Sequence, residues 1–235
     1  MDAIILAAGR GTRMSSIEKP KCLLDIGGKT IIDYQLSCFK EIGINNIFVI
    51  TGYNFNMIQD HLKDRVNFLY NPDYATTNNL HTLWIARKAL HDDFICVYAD
   101  LFFDKQILQS CIDNKNDICL VIERNTRDET MRIKINGGTI TQVNKLIPKE
   151  DANGNFIGMA KFTKKCIPSL FEEISKLINN DNQNLYYTSA IESMIAKGQQ
   201  INFVETNGLT WFDIDEQYEL EQAKSAYQKM VGIGS

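Results

Sequence analysis

The feature that most constrains this chain is a series of short apolar runs separated by amphipathic stretches. Ala3–Leu6, Ile47–Thr51, Val66–Tyr70, Phe94–Tyr98 and Ile118–Ile122 are apolar almost throughout, which is the pattern of strands buried on both faces, as in a parallel sheet. Between them, Ile31–Glu41, Asn56–Leu62, Asn79–Leu90 and Asp104–Cys111 have helical spacing. Strand and helix in alternation predict a doubly wound, Rossmann-like α/β layer whose loops gather along one sheet edge.

Beyond Glu123 the pattern changes. Met131–Ile135 and Thr139–Lys145 flank Gly137-Gly138, a β-hairpin signature, and predict a small hairpin lobe attached to the mostly parallel sheet. Helical spacing returns at Ser169–Ile178 and Thr188–Lys197, a strand follows at Ile201–Val204, and Asp215–Met230 closes the pattern as a helix. With 235 residues and 44% hydrophobic content, a single domain with a sizeable core is expected. Its parts would be a first α/β stretch over about 1–122, a hairpin-bearing lobe over about 123–210 and a closing helix over about 211–235.

A formal charge of −4 and a pI near 5.5 argue against nucleic-acid binding, which needs cationic surface. Six scattered cysteines without a CxxC pair read as reduced core residues of a cytoplasmic protein. The apolar N-terminal run is too short to span a membrane and lacks a basic leader, so neither a membrane anchor nor a secretion signal is expected.

Against that acidic background the first strand opens into Leu6-Ala7-Ala8-Gly9-Arg10-Gly11-Thr12-Arg13, and the next helical pattern starts only near Thr30. Small residues let backbone N–H groups approach a polyphosphate closely. Arg10, Arg13, Lys19 and Lys21 add local positive charge against Glu18 alone. The spacing matches neither GxxxxGK followed by Ser or Thr nor GxGxxG. Together with Lys19-Pro20-Lys21, it resembles the signature of the sugar-phosphate nucleotidyltransferase superfamily.

That resemblance implies that Leu6, Ala7, Ala8 and Gly9 meet the base and sugar through the backbone, and that Gly11, Thr12 and Arg13 wrap the triphosphate. Lys21 would contact the α-phosphate, where negative charge develops during transfer; Lys21 and Arg13 are thus the expected catalytic residues. Asp100, at the end of the Phe94–Tyr98 strand, is the expected carboxylate for a Mg²⁺ cofactor. A second ligand is implied in Trp211-Phe212-Asp213-Ile214-Asp215, from Asp215 or from Asp213 on the same face; either aspartate would also serve as a helix N-cap.

Tyr74-Ala75-Thr76-Thr77-Asn78-Asn79 and Thr82-Leu83-Trp84 resemble the cytidylyltransferase branch that acts on phosphocholine and related small phosphates, phosphoglutamine included. An asparagine amide complements cytosine without excluding uracil, so Asn78 and Asn79 are candidates for reading the base of CTP, with helix capping the alternative for Asn78. Lys145 resembles the lysine that binds the acceptor phosphate. Lys161, Arg132, Tyr187 and Glu192 are further candidates to line the acceptor pocket, Tyr186 beside them. The implied reaction joins CMP to a small phosphorylated acceptor, of phosphocholine or L-glutamine phosphate type, with loss of pyrophosphate, in capsule or surface-polysaccharide decoration. A uridylyl- or thymidylyltransferase for sugar 1-phosphates, and a non-catalytic nucleotide-binding regulator, stand as alternatives.

Overall fold

A computed structural model describes residues 1–11, 19–126, 131–180 and 184–232. The first half builds four parallel strands, β1 (Asp2–Ala7), β2 (Asn46–Thr51), β3 (Asn67–Tyr70) and β4 (Phe94–Tyr98), with helices α1 (Ile31–Glu41), α2 (Phe55–Leu62) and α3 (Asn79–Ile85) in the crossovers. In β1 the alternation is visible residue by residue. Ala3 and Ile5 enter the core on one face of the sheet, and Ile4 and Leu6 the core on the other, so both faces are covered and the strand is apolar throughout.

The second half adds β5 (Leu101–Phe103), α4 (Lys105–Asp113), β6 (Ile118–Glu123), the hairpin β7 (Arg132–Asn136) and β8 (Thr139–Asn144), β9 (Gly154–Phe162), α5 (Ile167–Asn179), α6 (Thr188–Ala196), β10 (Asn202–Glu205), β11 (Trp211–Asp213) and α7 (Gln217–Met230). The main path of the large sheet runs β10-β6-β9-β4-β1-β2-β3. β9 lies between β4 and β6 and is antiparallel to both, and it carries the β7–β8 hairpin through pairs such as Ile133 with Gly154. β9 and β10, inside the stretch expected to form the hairpin-bearing lobe over about 123–210, therefore belong to the main sheet. α1, α2, α4 and α7 bury residues in one core; α3, α5, α6 and the hairpin bury theirs in the other.

β5 and β11 form a separate antiparallel ribbon, with Leu101 opposite Asp213 and Phe103 opposite Trp211. The ribbon follows directly on the carboxyl end of β4, the edge that β1 shares in register through Leu6 opposite Tyr98. Among the described residues no helix is long and apolar enough to cross a membrane, and all six cysteines are buried free thiols.

Candidate active site

A cavity of about 920 Å³ opens at this carboxyl edge, and Leu6, Ala8 and Gly9 line one side of it. β1 ends there, and the chain leaves the sheet through the small residues noted above. Ala7 is held in the sheet opposite Thr51. Gly11 has φ +61, and a Cβ on it would stand 3.0 Å from both Cγ and Cε of Lys21, so the glycine lets the loop lie on the lysine stem. Thr12 and Arg13 lie outside the described residues.

Lys21 starts a 3-10 turn, Lys21–Leu23, set by Pro20 in front of it and by bonds from Leu23 N to Pro20 O and from Leu24 N to Lys21 O. Buried Cys22 anchors the turn in the core. The lysine ammonium therefore leaves a fixed backbone and reaches the carboxylates of Asp215 and, at 3.4 Å, Asp100.

Asp100, Asp213 and Asp215 offer oxygens that all lie within 4.8 Å of one another. The ribbon produces this convergence: Leu101 pairs with Asp213, and Ile214 N donates to Asp100 O at 3.0 Å. Capping does not account for Asp215. The N-cap of α7 is Glu216, joined to Glu219 in a capping box, and the carboxylate of Asp215 meets Lys21 instead. Asp104 caps α4, accepting from Gln106 N at 2.8 Å.

Burial pushes the Asp100 carboxyl up, opposed by the Lys21 charge and reinforced by Asp215. Asp213 is pushed well up by burial and then by the charges of Asp100 and Asp215. Lys21 is held above its ordinary range: burial alone would lower it, but Asp100 and Asp215 outweigh that. Three carboxylates against one ammonium leave the cluster short of positive charge. An all-oxygen donor set with that deficit fits a hard divalent cation such as Mg²⁺.

On the nucleotide side the side chain of Asn78 accepts from Asn79 N at 2.8 Å as the N-cap of α3, the capping alternative weighed for it, and the residue also lines the cavity. Asn79 also lines the cavity, but its amide is committed on both sides, donating to Tyr98 Oη at 3.0 Å and accepting from Tyr187 N at 2.8 Å. Tyr74 contributes a ring with the Arg10 guanidinium 5.7 Å from its centre.

On the acceptor side Lys145 lines the cavity beside Tyr186, donating to its hydroxyl at 3.0 Å. The remaining acceptor candidates fall elsewhere. Lys161 is buried on β9 at the opposite edge of the sheet, paired with Ile95 and Cys119, and its ammonium donates to the Asn114 carbonyl after α4. Tyr187 is fully buried, its ring edge-on to Tyr98 and Phe156. Glu192 accepts from Val143 N and Asn144 Nδ2, and Arg132 donates to the Ile147 carbonyl at 2.9 Å. These last two brace the segment that carries Lys145 and are not among the residues lining the cavity.

Five lining aromatics were not anticipated: Tyr98, Phe156, Trp211, Phe212 and Tyr218. Tyr98 had a legible signal, since it ends a strand two residues before Asp100. Trp211 is oriented by its indole N–H, which donates to Glu123 at 3.2 Å.

A family model for the MobA-like NTP transferase domain matches residues 3–177. The chain belongs to this family. As a MobA-like NTP transferase it is a nucleotidyltransferase. The CTP:phosphoglutamine cytidylyltransferase of Campylobacter jejuni is 30% identical over 249 residues, covering 94% of this chain and 98% of that protein. The choline-phosphate cytidylyltransferase of Streptococcus pneumoniae is 36% identical over 114 residues, covering 47% of this chain and 49% of the relative. A solved structure of the CTP:phosphocholine cytidylyltransferase from Streptococcus pneumoniae superposes with a TM-score of 0.79 at 24% identity, over 96% of this chain and 98% of that one. The mixed, mostly parallel sheet is thus the fold of known nucleotidyltransferases.

Proposed function

We propose that this transferase moves a cytidylyl group from CTP to a small phosphorylated acceptor of the phosphocholine or L-glutamine phosphate type, releasing pyrophosphate. One observation carries the reading: Lys21 pairs with Asp100 and Asp215, and these two with Asp213 line a cavity that Gly9 lines on the nucleotide side and Lys145 on the acceptor side. The cytidylyltransferase activity of both named relatives supports the choice of base and acceptor class. Work on surface polysaccharide is the physiological setting this reading suggests.

An acceptor phosphate is already a nucleophile, so the residues need not remove a proton. One of its oxygens attacks the α-phosphorus while the bond to the leaving pyrophosphate breaks. Lys21, fixed by its 3-10 turn, neutralises charge that grows on the α-phosphate oxygens. Lys145 holds the acceptor phosphate, Leu6, Ala7, Ala8 and Gly9 meet the base and sugar, and Gly11, Thr12 and Arg13 hold the triphosphate, so that positioning supplies much of the rate. Asp100, Asp213 and Asp215 would hold Mg²⁺, which when bound supplies Lewis-acid stabilisation of phosphoryl oxygens. Asn78, on the cavity wall, is the residue proposed to face the base.

The test is pyrophosphate release from CTP, UTP, dTTP, ATP and GTP, each paired with phosphocholine, L-glutamine phosphate or glucose 1-phosphate. The expected pattern is turnover with CTP and one of the first two acceptors. Turnover with UTP or dTTP and a sugar phosphate, with CTP inert, would refute the cytidylyl assignment. Absence of turnover with every pair would refute the acceptor class.

A further inference from the structure

A glutamine that no part of the reaction touches is built into the back of the carboxylate cluster. Gln35 lies on α1 and is fully buried. Its Nε2 donates to two main-chain carbonyls, Tyr98 O at 2.9 Å and Leu101 O at 2.8 Å. Those two residues flank Ala99-Asp100, so a single amide holds both ends of the bend that presents the Asp100 carboxylate. Two carbonyl partners leave no choice about the orientation of the amide, because only its nitrogen can donate.

The same bend is tied from two further sides. Ala99 N donates to Leu6 O at 3.3 Å and Ile214 N to Asp100 O at 3.0 Å, so α1, β1 and the β5–β11 ribbon all act on this short stretch. The ribbon carries the constraint onward, since Leu101 is the register partner of Asp213. Gln35 Oε1, meanwhile, is buried and meets no donor among the described residues. Burying an amide of which only one end is used is unfavourable. A methionine or leucine would fill the volume without that cost, so packing alone does not explain the residue.

We propose that Gln35 is a positioning residue: by fixing the Tyr98–Leu101 bend it sets the spacing of the Asp100, Asp213 and Asp215 carboxylates, and so the affinity of the site for a divalent cation. The proposal rests on those aspartates being the metal site. Groups that orient metal ligands from behind change affinity or activity by roughly 10–100-fold when removed, and that is the range expected here.

The experiment measures Mn²⁺ binding by EPR in the presence of saturating CTP, together with kcat, the KM for CTP and the denaturant midpoint. The proteins compared are wild type, Gln35→Met, Gln35→Asn, Asp100→Asn and Tyr34→Phe. Tyr34 is the neighbour of Gln35 on α1 and donates to Phe103 O at 2.7 Å. Its loss removes a comparable buried bond from the same ribbon while leaving the flanks of Asp100 alone. Gln35→Asn, one methylene shorter, keeps the amide but cannot span both carbonyls, and it stands in should Gln35→Met fail to fold.

The expected result is a roughly 10–100-fold loss of Mn²⁺ affinity and kcat in the Gln35 variants, with the KM for CTP little changed. Tyr34→Phe should lower the denaturant midpoint and leave metal affinity where it was. A folded Gln35 variant with wild-type Mn²⁺ affinity, beside an Asp100→Asn that has lost it, would overturn the proposal alone. Wild-type affinity in Asp100→Asn would remove the metal assignment and the proposal with it. An equal loss of affinity in Tyr34→Phe would also overturn it, because loosening of the ribbon in general would then explain the effect.

Discussion

Replacing Lys21 by methionine keeps the stem that Gly11 packs against and removes the charge that three carboxylates share. At 3.4 Å from Asp100, a unit charge pair in a medium of effective dielectric constant near 20 is worth about 5 kcal/mol of attraction. Desolvation of the lysine offsets part of that. The side chains of Lys21, Asp215 and Asp100 also keep 12%, 14% and 27% of their exposure, so water screens the rest. The net loss on breaking such a cluster should be about 2–4 kcal/mol, or roughly 4–16 °C in Tm for a domain of this size. A divalent cation supplies the missing charge, so saturating MgCl₂ should restore most of the lost Tm in Lys21→Met and raise wild type by less. Turnover should not return with it: removing a fixed donor to a developing anion costs about 10²–10³ in kcat. The assay is thermal unfolding with and without MgCl₂, followed by pyrophosphate release at saturating substrates. A kcat within threefold of wild type would refute the α-phosphate role. Equal stabilisation of both proteins by Mg²⁺ would refute the view that lysine and metal answer the same charge deficit.

Three further substitutions separate the roles assigned above. Lys145→Ala should raise the acceptor KM by about 10–100-fold, the worth of a charged hydrogen bond, and leave the KM for CTP unchanged in steady-state kinetics. Lys161→Met should leave the acceptor KM alone and instead cost about 1.5–3 kcal/mol in chemical denaturation, because the half-buried Asn114 carbonyl loses a charged donor. Asp33 bears on acid stability. Burial alone would raise its carboxyl, but hydrogen bonds from Thr30, His61 and Arg65 hold it below the usual carboxylate range. Its contribution is therefore complete above the unfolded value near about 3.9 and is lost as pH falls through the lower folded value. Asp33→Asn should reduce Tm at neutral pH and flatten the fall in Tm on the acid side; a parallel offset of the two curves at every pH would contradict this.

The parts of the molecule legible in the sequence are those written by local periodicity. Ile31–Glu41 and Phe94–Tyr98 have the bounds that their apolar spacing indicates, and Gly137-Gly138 marks the hairpin turn. Strand β9 was not legible. Gly154, Asn155, Gly158 and Lys161 interrupt its apolar pattern, and each answers a distant neighbour: a Cβ on Gly158, for example, would stand 2.5 Å from the Tyr98 ring. The three-residue strands β5 and β11 are too short to carry a period, so the ribbon that gathers Asp100 and Asp213 escaped notice although both aspartates had been singled out. Lys161 and Tyr187 are not among the cavity-lining residues, for a common reason. How near to the carboxyl edge a residue of β9 or of the α6 start comes to lie depends on strand direction and tertiary register, which local spacing does not carry.

The antiparallel strand β9 also fixes an order of assembly. As the chain is made, β1 to β4 can pair with one another as each appears, since their neighbours precede or closely follow them. β6 cannot: its partners in the sheet, β9 and β10, are both encoded after it, and until β9 slides between β4 and β6 that hydrophobic strand has no ladder to join. Asp213 and Asp215 arrive later still. A nascent chain can therefore pair β1 to β4 well before it can bring its three aspartates together, and the unpaired β6 marks the interval in which a chaperone would find most to hold.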